Sequence, residues 1–297
     1  MQASKTRVAA VLVVAALLAS GPSAGVVQAQ SAQPAAGESW EPGRTADGQP
    51  GLEGIWRQRS DISTYSIQAS AIDREEHTRI GGQATQFGRP IVDPRDGMIP
   101  YQPWAAERAK FLNVQHRAPQ KLEYLDPVSR CFMSGVPRMV YQGASSTRIL
   151  QFPDKIVFLH EWWHHYRVVY LDNRPRVPEG IRLWMGDSRG RWEGNTLVVE
   201  VTNNSEKTWF DIVGNFHGDR MKVTERWTRT GPDTIEDIAT MDDPTVYTRP
   251  WTIRVELGRG EPEEQWEHAG CEGNKAVHVA FDLPFEHEVT QANEAAN

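Results

Sequence analysis

Residues His160, Glu161, Trp162, Trp163 and His164 spell H-E-x-x-H. On a helix this spacing gives two imidazoles to one zinc ion and a carboxylate to act as general base. That chemistry depends on the helix. Residues four apart on a helix share a face, so His160 and His164 can both reach one ion at about 2.0–2.1 Å. On a strand, rising about 3.3 Å per residue, they lie roughly 13 Å apart. The surrounding elements therefore decide, and their composition favours strand. Lys155 to Leu159 before the motif and His165 to Leu171 after it are mostly β-branched and aromatic. Turn residues bound the stretch at Pro153-Asp154 and at Asp172 to Pro175. The pattern predicts a strand over 155–171 with a bulge or bend, since the span is long for one regular strand. Asp154 as the N-cap of a helix is the competing reading. It carries a zinc-hydrolase alternative, with His160 and His164 as ligands and zinc as the cofactor.

If the stretch is one strand, Glu161, Trp163, His165 and Arg167 share one face, and His160, Trp162, His164 and Tyr166 the other. Charged groups among aromatics on a buried strand are costly unless paired or functional. The candidate catalytic set is therefore Glu161, His164, His165 and Arg167. Glu161 or a neighbouring His would serve as acid or base, and Arg167 would orient an anionic or carbonyl oxygen. The structural alternative is a Glu–Arg ion pair that fixes strand register. His217, in the Asn215–Asp219 segment, joins the catalytic set as a loop residue able to swing over a barrel mouth. Trp162, Trp163, Tyr166, Asp187, Arg189 and Glu225 are the candidate ligand-binding residues. Asp187 and Arg189 flank a turn, where they either line a mouth or bond turn backbone. The eleven tryptophans suit stacking walls around an aromatic or polycyclic ligand, or simply large core side chains. The chain has no Gly-rich phosphate loop, no G-x-S-x-G elbow and no C-x-x-C pair, so the leading reading implies no cofactor.

The N-terminus has the form of a secretory signal: Lys5 and Arg7, an apolar run from Val8 to Ala19, and Val27-Gln28-Ala29 as cleavage site. The run is too short to span a bilayer and no longer one follows, so the expectation is a periplasmic or secreted protein without a stable membrane anchor. The formal charge is −7, and signal removal deletes two cations. An acidic chain without Lys/Arg runs argues against nucleic acid as partner. Cys131 and Cys271 are the two cysteines. Export places them where disulfides persist, and pairing would stabilise by roughly 5 kcal/mol in the chain-entropy model. Two separate buried thiols are the alternative.

Residues 30–50 read as an extended leader, and 51–297 as a single β-barrel domain. Gly54-x-Trp56 resembles the opening strand of lipocalin-like barrels, where a Trp plugs the floor. Residues 58–100 lack periodicity and are expected as long loops over the surface or a barrel mouth. Pro103 to Gln115 is expected as a helix that packs as a lid or plug, with Pro103 at its first position. Trp104 with Phe111, and Ala105 with Ala109 and Leu112, recur at helical spacing. From about Arg148 the pattern is β. Expected strands include Thr196–Val201, Met221–Arg229, Thr234–Met241, Pro250–Leu257 and Glu264–Ala269, joined by tight turns. The fold class is mainly β, an antiparallel meander closing into a lipocalin-like barrel.

Several phrases together resemble a large group of exported bacterial proteins with no established reaction. They are Arg44 to Pro50 before Gly54-Ile55-Trp56, Cys131 followed by Gly135 to Arg138, Leu159 through Arg167, and Gly186 through Val199. Lys207 to Trp209, Glu225-Arg226, Asp243-Pro244 and Thr248 to Trp251 continue the match, which covers most of the mature chain. The group resembles this chain at Glu161 and Arg167 without needing His160, which weighs against zinc. Near Cys271-Glu272-Gly273-Asn274 the chain departs, since the group places Cys one position earlier. Three functions follow in order: a barrel enzyme performing cofactor-free acid–base chemistry, of lyase, isomerase or hydratase type, on an apolar or aromatic small molecule; a non-catalytic binding protein of the same architecture; and the zinc hydrolase.

Overall fold

Along Trp251–Arg259, the residues Trp251, Ile253, Val255 and Leu257 are buried while Thr252, Arg254 and Glu256 face outward. This period-2 pattern repeats around a closed β-barrel. The computed structural model describes residues 40–59, 62, 65–68, 90–116, 119–142 and 146–261. The expected signal peptide, the leader up to residue 39, the run Glu264–Ala269 and Cys271 lie outside them, as does the side chain of Trp163.

The strands are β1 Gly54–Gln58, β2 Ile91–Asp93, β3 Ser146–Gln151, β4 Lys155–His160, β5 Tyr166–Tyr170, β6 Asp187–Glu193, β7 Thr196–Thr202, β8 Lys222–Gly231, β9 Thr234–Asp242 and β10 Trp251–Arg259. Nine of them pair in the order β1, β3 to β10, and β1 closes the ring by pairing with both β3 and β10. β2 is a tenth strand laid along β10 at Thr252 and Ile253. The lipocalin-like barrel is present with one change of hand. β5 and β6 pair parallel, through Val169 with Ser188 and Tyr170 with Arg189, because residues 171–186 return along the barrel before β6 begins. An antiparallel meander was the expectation, and this pair corrects it.

The lumen is packed. Trp56, Trp227 and Trp251 are fully buried, as are Phe158 on β4 and Ile149 on β3. Phe158 meets Trp227 across the barrel with ring centroids 4.9 Å apart, a contact between strands that are not neighbours in the sheet. Burying each such side chain contributes about 1.5–3 kcal/mol, which makes the lumen the principal core. Trp56 keeps its indole N–H satisfied by the Leu52 carbonyl at 2.9 Å, so it fills the barrel at low polar cost.

One end of the barrel carries a cap. Its helix α1, Pro103–Gln115, starts with the expected proline and buries Ala105 and Leu112. The cap continues through two 3-10 turns, Leu122–Tyr124 and Val128–Arg130, and the short helix α2, Arg138–Tyr141. The segments 205–218 and 243–250 complete it. Phe210 and Tyr247 meet Trp251 edge-on at 5.1 and 5.7 Å and join cap to lumen. α1 can sit this close because Gly214, at φ 95°, has no Cβ; one added there would lie 2.5 Å from Leu112 Cβ. The described part of 58–100 does run over this mouth, with Ile62, Tyr65 and Ile67 buried. Residues 40–50 are not a free leader: Gln49 Nε2 donates to the Pro153 carbonyl and Arg44 to Asn195 Oδ1, so packed structure begins before Gly51.

Candidate functional site

The H-E-x-x-H segment is neither helix nor continuous strand. His160 ends β4, Glu161 turns to αR (φ −61°, ψ −40°), and Trp162–His164 form one 3-10 turn before β5. The hairpin closes on the His160 N–H to His165 carbonyl bond of 2.8 Å. Glu161 causes the break. Its carboxylate accepts from the Ser146 backbone N–H at 2.7 Å and the Ser146 hydroxyl at 3.0 Å, bonds that hold the start of β3 with a side chain instead of a further strand residue. The expected strand over 155–171 is thus two strands of a hairpin, and the expected division of faces fails with it. His160 and Arg167 both point into the lumen, whereas His164, at φ 58°, is exposed and Tyr166 is 60 % exposed. The helical geometry on which the zinc reading depended does not occur. Among the described residues no group of three or more His, Cys, Asp or Glu side chains converges to hold a metal ion.

Inside the barrel Arg167 and Glu225 are paired and sealed, while Asp237 and His160 Nε2 are buried without a hydrogen-bond partner among the described residues. Arg167 is bidentate to Glu225 across the lumen, at 2.9 and 2.5 Å, and its Nε donates to Ser188 Oγ at 2.9 Å. Both members of the pair are almost wholly buried. The Glu–Arg register pair foreseen as a structural alternative exists, but the acid is Glu225 on β8. His160 Nδ1 lies 2.8 Å from Thr147 Oγ1. Burial, with Arg167 and His165 adding their charge, lowers His160 to about 3 and keeps it neutral. Asp237 on β9 is fully buried with both oxygens lacking a hydrogen-bond partner among the described residues. Burial, reinforced by Glu225, raises its carboxyl well above the usual range, so it is held protonated.

The cap holds an open cleft of about 710 Å³. Trp104, Phe111, Tyr124, Phe132, Trp184 and Phe216 present rings to it. Trp104 is 53 % exposed, with Phe111 and Phe132 close behind, which is unusual for so many large rings in one place. Phe132 and Trp184 stack face to face, 4.7 Å apart and 6° from parallel. Arg108, Arg130 and Lys207 supply cations, and Glu123 and Glu206 carboxylates. The scaffold beneath is rigid. Arg138 is bidentate to Asp126 at 2.8 and 2.7 Å, donates from Nε to Gln142, and reaches the carbonyls of Trp209 and Asp211, tying three cap segments together. Asp211 accepts from Ile67 N–H and from both the backbone and side-chain amides of Asn215. Burial outweighs these donors and pushes it up to about 7.

His217 lines the cleft. It is buried, with Nδ1 2.8 Å from the Gly218 carbonyl and Nε2 2.7 Å from Thr208 Oγ1. With Nδ1–H donating to Gly218, Nε2 accepts from Thr208 only when that hydroxyl turns away from the Ser205 carbonyl, 3.1 Å off, to which it otherwise donates; burial lowers the proton affinity of the ring. Asp187 and Arg189 belong to neither region. Ser188 points into the lumen, so its neighbours on β6 point out. There Asp187 accepts from Val177 N–H at 3.1 Å and pairs with Arg189, which also donates to the Pro175 carbonyl. They bond loop backbone, the second of the two roles considered.

The structure therefore groups His160, Arg167 and Glu225 in the lumen, keeps Glu161 and His165 buried at the hairpin, and places His217 apart in the cap. Sequence reasoning missed Arg108, Arg130, Phe132, Trp184 and Lys207. The abundance of tryptophan and the Trp104/Phe111 spacing were the available signals. A larger groove of about 890 Å³ is lined by residues of β1, β3 and β10, and among the described residues its lining offers arginines such as Arg259, already paired with Asp233, and no aromatic ring. The chain matches no protein-family model and no curated protein.

Proposed function

We propose that this chain is an exported β-barrel protein that binds an apolar or aromatic small molecule in the cleft of its cap. The observation that carries the reading is the parallel Phe132–Trp184 pair, partly exposed and facing a cleft large enough for a small-molecule ligand. A planar ligand extends that stack and covers ring surface now in water. The lumen is the weaker candidate because Arg167 and Glu225 are paired there, and Asp237 and His160, whose carboxyl oxygens and Nε2 lack partners among the described residues, are buried and line neither cleft. Export rests on the Lys5 to Ala29 signal pattern, and a mature N-terminus at Gln30 in secreted material would support it.

The test is titration with 2-naphthol, followed by quenching of tryptophan fluorescence. Saturable binding is expected, weakened about tenfold by Phe132→Ala or Trp184→Ala, each ring being worth roughly 1–1.5 kcal/mol. Binding that ignores both substitutions would sink the assignment to this cleft.

A second reading adds cofactor-free acid–base chemistry, and one observation favours it: His217 lines the cleft as a neutral imidazole whose Nε2 accepts a proton-bearing hydroxyl. When the Thr208 hydroxyl donates to the Ser205 carbonyl instead, the Nε2 lone pair is free to take a proton from a bound ligand. Its check is deuterium exchange into cleft ligands in heavy water. Exchange is expected in the wild type and lost in His217→Gln; absence of exchange across a panel of aromatic ketones and acids would leave binding as the whole function.

A further inference from the structure

The charge around the rings narrows the ligand, an inference that rests on the cleft being the aromatic site. Arg130 is the informative group. Its guanidinium lies over the Phe132 ring, 5.3 Å from the centroid, and so beside the Phe132–Trp184 stack. Its Nε is buried and has no hydrogen-bond partner among the described residues. The acids closest to it are committed elsewhere. Asp126 is bidentate to the fully buried Arg138, and Glu123, about two-thirds exposed, lies 3.8 Å from Lys121. Burial weakens the hold of Arg130 on its proton, yet a guanidinium stays charged at any working pH.

The shut-off Nε leaves this partly desolvated cation under-compensated, and charge-assisted bonds from its outer guanidinium nitrogens to an acceptor in the cleft contribute about 1.5–3 kcal/mol. The protein as a whole is acidic, at −7, so nothing global attracts an anion. Locally the balance reverses: Arg108, Arg130 and Lys207 outnumber Glu123 and Glu206. We propose that the ligand is a planar aromatic carboxylate, its ring continuing the Phe132–Trp184 stack and its carboxylate accepting from Arg130. The exposed Arg108 and Lys207 add longer-range attraction that salt screens.

The test compares 2-naphthoate with its neutral isostere 2-naphthamide by calorimetric titration of the full mature chain. The carboxylate should bind roughly tenfold or more tightly than the amide. Arg130→Gln should erase that preference, bringing the affinities for the two compounds within about twofold of each other. Arg130→Lys, which keeps the charge without the planar fork, should retain part of the preference and covers the case in which the glutamine variant does not fold. Equal affinity for both compounds in the wild type, or a preference that survives in Arg130→Gln, would overturn the charge assignment alone. Failure of both compounds to bind would overturn the aromatic cleft as well.

Discussion

The barrel lumen and the cap cleft both set charged groups beside aromatic rings, yet they resolve that conflict in opposite ways. In the lumen Arg167, Glu225 and Ser188 close on one another, and Phe158 lies under the guanidinium, 5.8 Å from its carbon. In the cleft Arg130 Nε has no hydrogen-bond partner among the described residues, and Trp104, Phe111 and Phe132 stand partly in water. The sealed Arg167–Glu225 pair specifies which strands meet across the barrel. The open cation beside the Phe132–Trp184 stack borders a cleft and is the group on which the proposed binding rests.

The largest effect that can break this contrast lies in the lumen. Glu225→Gln or Arg167→Met leaves one buried charge unpaired and should cost about 3–5 kcal/mol in urea unfolding, while affinity for 2-naphthoate in the remaining folded protein stays within about twofold. The double variant Arg167→Met/Glu225→Leu should recover most of the loss. A variant that stays stable but no longer binds would move the function into the barrel.

The pH profile sharpens the contrast next, because cap and lumen titrate with opposite sign. Asp211 in the cap is pushed up to about 7 from 3.8. The folded chain keeps a proton that the unfolded chain releases, so this contribution is full below about 4 and is lost as pH rises toward 7. His160 in the lumen is lowered from 6.5 to about 3. Its contribution is present above 6.5 and is lost as pH falls toward 3. Asp211→Asn should therefore tilt the stability profile upward with pH and His160→Gln should tilt it downward. Each change should amount to a few kcal/mol, read by urea unfolding at several pH values between 4 and 8. Matching tilts would contradict the two environments.

Smaller effects follow at the surface. Trp184→Ala should weaken aromatic binding about tenfold while changing stability by no more than about 1 kcal/mol. Tyr166→Ala, on the exposed side of the hairpin, should change neither, staying within about 0.5 kcal/mol in unfolding and leaving the titration unaltered. Loss of binding there would restore the hairpin as a site.

The barrel was legible because its signal is local. Alternation in 251–257, the turn residues between strands and Pro103 at the head of α1 each act within a few residues, and all three appear where expected. The parallel β5–β6 pair was not legible, since it depends on the path of 171–186 over the barrel. The break in the H-E-x-x-H stretch depends on Glu161 reaching Ser146, fifteen residues away in sequence and on another strand. Arg167 and Glu225 could be picked singly but not as partners, because β5 and β8 are not adjacent in the sheet. The cleft was least legible. Phe132 and Trp184 come from separate loops, one beside the Arg138–Asp126 anchor and the other held by backbone bonds of Leu183 to Asn203 and Ser205.

Amide hydrogen exchange of the mature protein with and without saturating 2-naphthoate compares the two regions in one experiment. Added protection is expected in α1, in 122–132 and in 205–218, with the hairpin of β4 and β5 unchanged. Protection confined to residues 155–170, with the cap unaffected, would contradict the assignment of function to the cleft.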